Sequence, residues 1–463
     1  MLDKLLACDA LDAALQTGGD FAEIFMEDTL SHSVQLKSGR VDTINTGRLY
    51  GAGVRVFTGL NAIYAYTNDL SREGLIRCAR EAASAVRAGA NAPVRAMPLV
   101  TRAHGDAHPI KLLPSTVETR RKADALRAAD AAARAYSAEI AQALCRYQDT
   151  EQNVVICNSL GLFTTDRRVY TRLVVSAVAG NGTENQTGFE SSGAMMGHEL
   201  FETRADPAAL GRGAAETAVR MLHAPVCPAG VMPVVIDRGF GGVIFHEACG
   251  HSLEATSVAF GQSVFCDKLG QKIAADCVTA VDDGTLPNEW GSLNIDDEGN
   301  PTTRLVLIEN GVLKNYMIDT LNGKRMGMPP TGSARRQSYA FAPTSRMRCT
   351  YIAPGTDDEK EMLSTMGDGL YAKKLGGGSV NPPTGEFNFA VNEGYLVKDG
   401  KIASPVRGAS LIGKGADILM QIDRVGPDMT MMQGVCGSDS GGVPVNIGQP
   451  MIRVKRITVG GRA

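Results

Sequence analysis

The segment His246-Glu247-Ala248-Cys249-Gly250-His251 sets a geometric condition that an ordinary helix cannot meet. Two imidazoles bracket a carboxylate, and the second ring comes five residues after the first. Neutral imidazole nitrogens ligate zinc and similar divalent ions, and a carboxylate beside the first ligand can take a proton from water activated by such an ion. In the familiar His-Glu-x-x-His arrangement a four-residue step puts both rings on one helix face. A five-residue step at about 100° per residue turns the second ring roughly 140° from the first. If both rings serve one ion, the helix must widen into a π-turn, which brings positions five apart back to one side and occurs mostly at functional sites. Gly250 eases that distortion. The competing reading is a chance His-Glu pair near a helix end, with His251 capping or solvated. The segment takes two of only seven histidines and directly follows the apolar run Val243-Ile244-Phe245. A third ligand must come from elsewhere.

Composition bounds what surrounds that segment. The 463 residues suggest two or three domains and ample material for a large core. Hydrophobic residues at 44% and charged residues at 21% exclude a disordered or fibrous chain. A net charge of −3 argues against bulk electrostatic binding to nucleic acid or an anionic membrane. No apolar run reaches the eighteen or so residues that a membrane span needs. The start, Met1 to Leu6, carries acid early and reads as an amphipathic helix without a signal-peptide layout. Ten cysteines form no Cys-x-x-Cys pair, which fits free thiols in a reducing cytoplasm.

The pattern along the chain predicts an α+β fold. A helix is expected to about residue 17, a strand over 21–28, and antiparallel strands from Ser31 to Tyr66. Helices follow at about 70–90 and 115–138, joined by a Pro- and Gly-bearing connection over 90–114. Strands return over 152–181, then a helix over 206–223. The Pro-bearing stretch Ala224 to Pro228 marks a boundary. Residues 1–228 are read as an N-terminal mixed α/β-sheet domain. Residues 229–463 are read as a strand-rich C-terminal domain carrying the metal site, with strands at Val231–Ile236, Thr303–Ile308, Val312–Ile318 and Tyr395–Val397 and a helix over 358–374.

Other candidate chemistry has bland readings beside it. Cys436 lies in Gly434-Val435-Cys436-Gly437-Ser438, where small neighbours would let a metal approach its sulfur; a small buried cysteine explains it equally well. His104 and His108 sit among Gly and Pro and read as a solvated loop, and His198-Glu199 as a surface pair. Gly408 to Gly415 nearly matches a phosphate-cradling loop but ends in Gly415 instead of the hydroxyl that holds magnesium. Asp282-Asp283 and Asp296-Asp297-Glu298 read as hydrated loops, or as groups supporting the metal histidines. Arg335-Arg336 near Tyr339 could orient a substrate carboxylate or carbonyl.

The chain resembles the TldD/PmbA family of metallopeptidases, on the TldD side. The resemblance rests on His246 to Glu254, Thr331 to Tyr339, Gly376-Gly377-Gly378, Thr384-Gly385-Glu386-Phe387, Gly408 to Gly413, Cys436-Gly437, Val443-Pro444-Val445 and Gly448-Gln449-Pro450. It implies zinc held by His246, His251 and Cys436, with iron as an alternative ion, and Glu247 as general base. It also implies dimers that enclose the site, either homomeric or paired with a PmbA-like subunit lacking the motif. The substrates it implies are short, unfolded or modified-precursor peptides. Two departures from the family pattern stand near the site, Ala255-Thr256 after Glu254 and Ser438 after Gly437.

The expectation is therefore a cytoplasmic zinc peptidase with Glu247 as its base and Arg336 and Tyr339 as candidate substrate-binding groups. An extended peptide lying on a strand edge would explain broad sequence tolerance. Two rivals remain. One is a non-catalytic peptide-binding or scaffolding subunit of the same complex. The other is a dipeptidyl-peptidase-III-like zinc exopeptidase, which shares the five-residue step but takes a downstream Glu from a Glu-Glu-x-x-Ala-Glu/Asp segment not found here.

Overall fold

The computed structural model describes residues 2–86, 94–381 and 384–461. The expected connection over 90–114 lies partly outside these residues; its part from 94 onward is irregular apart from a two-residue strand, Val100–Thr101. The architecture is α+β, built on two large sheets.

The first sheet has seven strands. Four are 17 to 19 residues long: Phe21–Lys37, Arg40–Thr58, Ile140–Asn158 and Leu162–Gly180. They pair antiparallel in the order Arg40–Thr58, Phe21–Lys37, Ile140–Asn158, Leu162–Gly180. Helices cover one face in two blocks. Lys4–Leu15 and Arg72–Ser84 bury Leu11, Leu15, Leu75 and Ala79 against Ile24, Val54 and Val56. Thr119–Tyr136 and Pro207–His223 bury Leu126, Ala129 and Ala215 against Val34, Leu173 and Val175. The apolar positions of the 119–136 helix (Ala123, Leu126, Ala129, Ala133) recur every three or four residues, which is why one stripe faces the sheet. The opposite face of the sheet meets the second half of the chain.

The second sheet has eleven strands, and its pairing closes on itself. Gly441–Gly460 pairs with Ser410–Lys414, which pairs with Glu386–Lys398, then Gly369–Asn381, then Gly230–Ile236, which returns to Gly441–Gly460. Closure leaves an interior filled by Val234, Ile236, Leu370, Phe389, Leu411 and Val454. Ile244, Phe245, Ala248 and Cys249 of the His-Glu segment join the same core.

Several local expectations give way here. The helix expected over 358–374 is only Glu359–Ser364. Gly367 then takes a left-handed φ of 72° and the chain runs into the strand Gly369–Asn381, because Leu370 and Ala372 fill the closed interior. The strand expected over Val312–Ile318 stops at Leu313, and Asp319 caps the helix Thr320–Met326 soon after. The near-phosphate loop is extended backbone, Ser410–Lys414 paired against Glu386–Ala390, so no loop cradles an anion there.

Charged groups expected in water are buried, some where the two halves meet and some within one half. Asp282 pairs with Arg348 at 2.7 Å, Asp297 with Arg168 at 2.6 Å, and Glu298 with Arg55 at 2.5 Å. Asp296 accepts backbone N–H groups from Glu298, Asn300 and Ala334, and burial beside Glu298 pushes its carboxyl up to about 8. His198 and Glu199 are likewise buried: Glu199 accepts from the backbone of Lys111 and Leu112. His108 is buried too and accepts the backbone N–H of Asn288, while both ring nitrogens of His104 face carbonyl oxygens. Asp297, Glu298 and His108 bridge the two halves, whereas Asp282, His104, His198 and Glu199 are held within one half.

Candidate metal centre

The strand Gly230–Ile236 turns through Gly239 into a short helical stretch, Phe240–Gly242 and Val243–Phe245, that enters the closed sheet. Gly242 sits flush against the neighbouring strand, since a Cβ there would stand 2.6 Å from the Gly448 carbonyl oxygen. From His246 to Gly250 the helix widens into a π-turn, and the His251 N–H bonds the His246 carbonyl five residues back. Phe245, His246, Gly250 and His251 have right-handed helical dihedrals and no residue between them has a positive φ, so the turn widens without a left-handed residue. The rings of His246 and His251 consequently lie 5.3 Å apart, centroid to centroid, nearly perpendicular. This is the widening that the five-residue step demands.

Cys436 arrives from the far end of the sequence on the strand Ile422–Ser438. Its Sγ lies 3.2 Å from His251 Nε2. One nitrogen from each histidine and this sulfur all fall within 4.8 Å of one another. Ligands 2.0–2.3 Å from a shared ion in tetrahedral geometry stand about 3.3–3.8 Å apart, so the donor set fits one ion after sub-ångström adjustment. The donors are chemically apt as well, two imidazoles and a sulfur with room for a fourth ligand.

Each imidazole is oriented from behind. His246 Nδ1 lies 3.0 Å from the Thr350 hydroxyl, and His251 Nδ1 lies 3.0 Å from Glu254 Oε2. These bonds leave Nε2 of each ring for the ion, the usual arrangement of a ligand histidine and its outer partner. Burial, with His251 and Arg346 nearby, holds His246 well below the usual histidine value and keeps it neutral, as a ligand must be. Burial would also lower His251, but Glu254 and the Cys436 sulfur outweigh it and raise the ring well above that value. Arg346, itself fully buried, donates to the Cys436 carbonyl at 2.5 Å and lies 3.9 Å from Glu254, tying the two arms of the site together.

Glu247 is the exposed member. Its carboxylate is 3.7 Å from His251 Nε2 and is 31% exposed, whereas His246 is sealed inside. Burial raises its pKa against the opposing pull of His251, the direction that suits a group exchanging protons.

Arg336 and Tyr339 are placed elsewhere. Arg336 donates to Glu23, to the Asp297 carbonyl and to the Tyr64 hydroxyl, all buried at the interface of the halves. Tyr339 lies against Gly51 and Tyr66, and its backbone N–H donates to Glu27. Thr350 and Arg346 carried no sequence signal. Glu254 did, as the acid three residues after His251. Asp282, Asp283 and Asp296 to Glu298 contact neither histidine.

A family model described as "PmbA/TldA metallopeptidase C-terminal domain" matches residues 229–461, and models for the central domain and domain 1 match 112–222 and 22–86. The chain belongs to the PmbA/TldD metallopeptidase family. It is an enzyme of that family, a metallopeptidase that uses a metal cofactor. A metalloprotease TldD homolog from Buchnera aphidicola is 33% identical over 454 residues, covering 96% of this chain and 93% of its own. A zinc metalloprotease TldD homolog from Saccharolobus solfataricus is 34% identical over 245 residues, about half of each chain. The crystal structure of TldE from Thermococcus kodakarensis superposes with a TM-score of 0.77 at 18% identity, over 98% of this chain and all of that one. Among the described residues no helix is long and apolar enough to cross a membrane.

Proposed function

We propose that this PmbA/TldD metallopeptidase is a zinc-dependent peptidase of the TldD type, acting on short, unfolded or modified-precursor peptides. His246, His251 and Cys436 hold the ion, and Glu247 is the general base. The observation that carries the reading is the meeting of two imidazole nitrogens and one sulfur across a π-turn, with a half-exposed carboxylate beside them. Bound there, zinc would supply a Lewis acid that lowers the pKa of water to near neutrality and polarises a carbonyl. Glu247, 3.7 Å from His251 Nε2 and partly open to solvent, would accept a proton from water and return one to the departing amine. Thr350 and Glu254 keep both rings presenting Nε2, and Arg346 fixes the strand that bears Cys436. Iron is the competing ion; a cysteine in the donor set and the name of the Saccharolobus relative favour zinc.

The substrate reading rests on the strand Ile422–Ser438. Among the described residues it pairs on one side alone, with Gly441–Gly460, so its other edge leads toward Cys436 and can take an extended peptide by main-chain bonds. A dimer, either of this chain with itself or with a PmbA-like subunit, cytoplasmic residence, and the division into units 1–228 and 229–463 belong to the same proposal. The separate sheets support the division. The test is peptide cleavage by zinc-loaded wild type and Glu247→Ala. Loss of at least about a hundredfold is expected for the variant; full cleavage by it would remove the general-base role.

A further inference from the structure

Between the two halves lies a cleft of about 630 Å³ whose walls come from both sheets. Phe189 and Arg172 line it from the first sheet, Lys374 and Phe240 from the second half, and Met432 and Val435 from the strand that bears Cys436. Its apolar surfaces suit side chains, and its cations are mostly spoken for. Lys373 and Lys374 pair with Glu393 and Glu190, and Arg238 pairs with Glu359.

Arg172 differs. On the strand Leu162–Gly180 its neighbours Leu173 and Val175 face the helices, so alternation turns Arg172 toward the cleft. Its guanidinium lies 5.7 Å from the centre of the Trp290 ring, and its Nε is buried without a hydrogen-bond partner. Among the described residues no carboxylate lies within ion-pair distance of it. Burial with no anion to offset it pulls Arg172 below the ordinary arginine value. Only Nε is sealed; the half-buried guanidinium otherwise faces the cleft without a counterion, a ready partner for an anion from outside. Trp290 also links it to the strand of Cys436: the indole N–H donates to the Gly434 carbonyl at 2.9 Å, two residues before Cys436.

We infer that Arg172 is the anchor of a carboxylate-binding subsite in this cleft, taking a carboxylate of the substrate peptide within about five residues of the scissile bond. The inference rests on the peptidase reading for its ligand. A planar guanidinium fork matches a carboxylate in two parallel bonds. The links above, Arg172 to Trp290, Trp290 to Gly434 and two strand residues to Cys436, sum to about 15–17 Å and so cap the separation at about five residues of extended chain. The carboxylate is either the peptide's C-terminal group or an Asp or Glu side chain at that spacing.

The test measures binding of fluorescent peptides to zinc-loaded Glu247→Ala protein, with and without Arg172→Met, a change that keeps the apolar stem over Trp290. One set of peptides has a free or amidated C-terminus and no acidic side chain; a second set is amidated with one Glu moved along the chain. Arg172→Lys and thermal unfolding of each variant separate a lost charge from a lost fold. The expected result is that removing the carboxylate weakens binding about ten- to hundredfold when Arg172 is present and about equally little in Arg172→Met. The free-acid set or the moved Glu tells which carboxylate is read. Equal binding of all peptides to protein with Arg172 overturns the inference. Cleavage by wild type is followed in parallel: discrimination without any cleavage would overturn the peptidase reading and leave the subsite standing.

Discussion

Glu254→Gln isolates the charge behind His251 while keeping the shape of the side chain. In the native structure Glu254 is buried, with Oε2 3.0 Å from His251 Nδ1 and Oε1 3.2 Å from the Met347 N–H. A hydrogen bond to an ionised partner contributes about 1.5–3 kcal/mol net, so neutralising it should weaken zinc binding about ten- to hundredfold. His246 supplies an internal comparison. Its partner is the neutral Thr350 hydroxyl, also at 3.0 Å, and Thr350→Val should cost only about 0.5–1.5 kcal/mol, up to roughly tenfold in affinity. Competition against a chromophoric chelator at fixed pH and ionic strength reads both. The Glu254 variant should also unfold about 1–3 kcal/mol more easily without metal, because buried Arg346 loses its nearby carboxylate. The reasoning fails if Glu254→Gln binds zinc within about twofold of wild type, or if Thr350→Val is the more damaging change.

Other consequences follow from packing and charge. Gly415→Ala would set a Cβ 2.0 Å from the Ala248 carbonyl oxygen, pressing on the π-turn; urea unfolding should show a loss of about 1–3 kcal/mol and zinc affinity should fall with it. Arg336→Met removes one member of a buried ion network and should cost about 3–5 kcal/mol of stability while the folded fraction keeps its peptide KM; a raised KM at unchanged stability would return Arg336 to a substrate role. His198 is held down to about 4 by burial and by Arg121 and Lys122. The unfolded chain therefore takes up a proton below about 6.5 that the folded one refuses, so this contribution is intact above that pH and is lost as pH falls toward 4. His198→Phe should flatten the acid limb of a stability-against-pH curve, and an unchanged limb would refute the assignment.

The long elements were legible because they obey simple periods. The stripe of the 119–136 helix, the alternation through 162–180 and the odd spacing of His246 and His251 each state a local geometry that the fold then respects. What escaped the sequence depends on partners far away in the chain. Asp282 and Asp297 look like hydrated acids until Arg348, from the same half, and Arg168, across the interface of the halves, face them. Residues 369–374 read as the end of a helix until a closed sheet takes Leu370 and Ala372. Within the site, Thr350 and Arg346 lie about a hundred residues from His246, and no motif announces a hydroxyl or a guanidinium that serves from behind.

The central claim is that one sulfur and two imidazoles share an ion. Metal content per folded chain, measured after zinc loading and gel filtration, tests it most directly. Wild type and Glu247→Ala should each carry one tightly held zinc, while His246→Ala, His251→Ala and Cys436→Ser should each fold and lose it. Cys436→Ser protein that keeps its zinc with wild-type affinity would contradict the account.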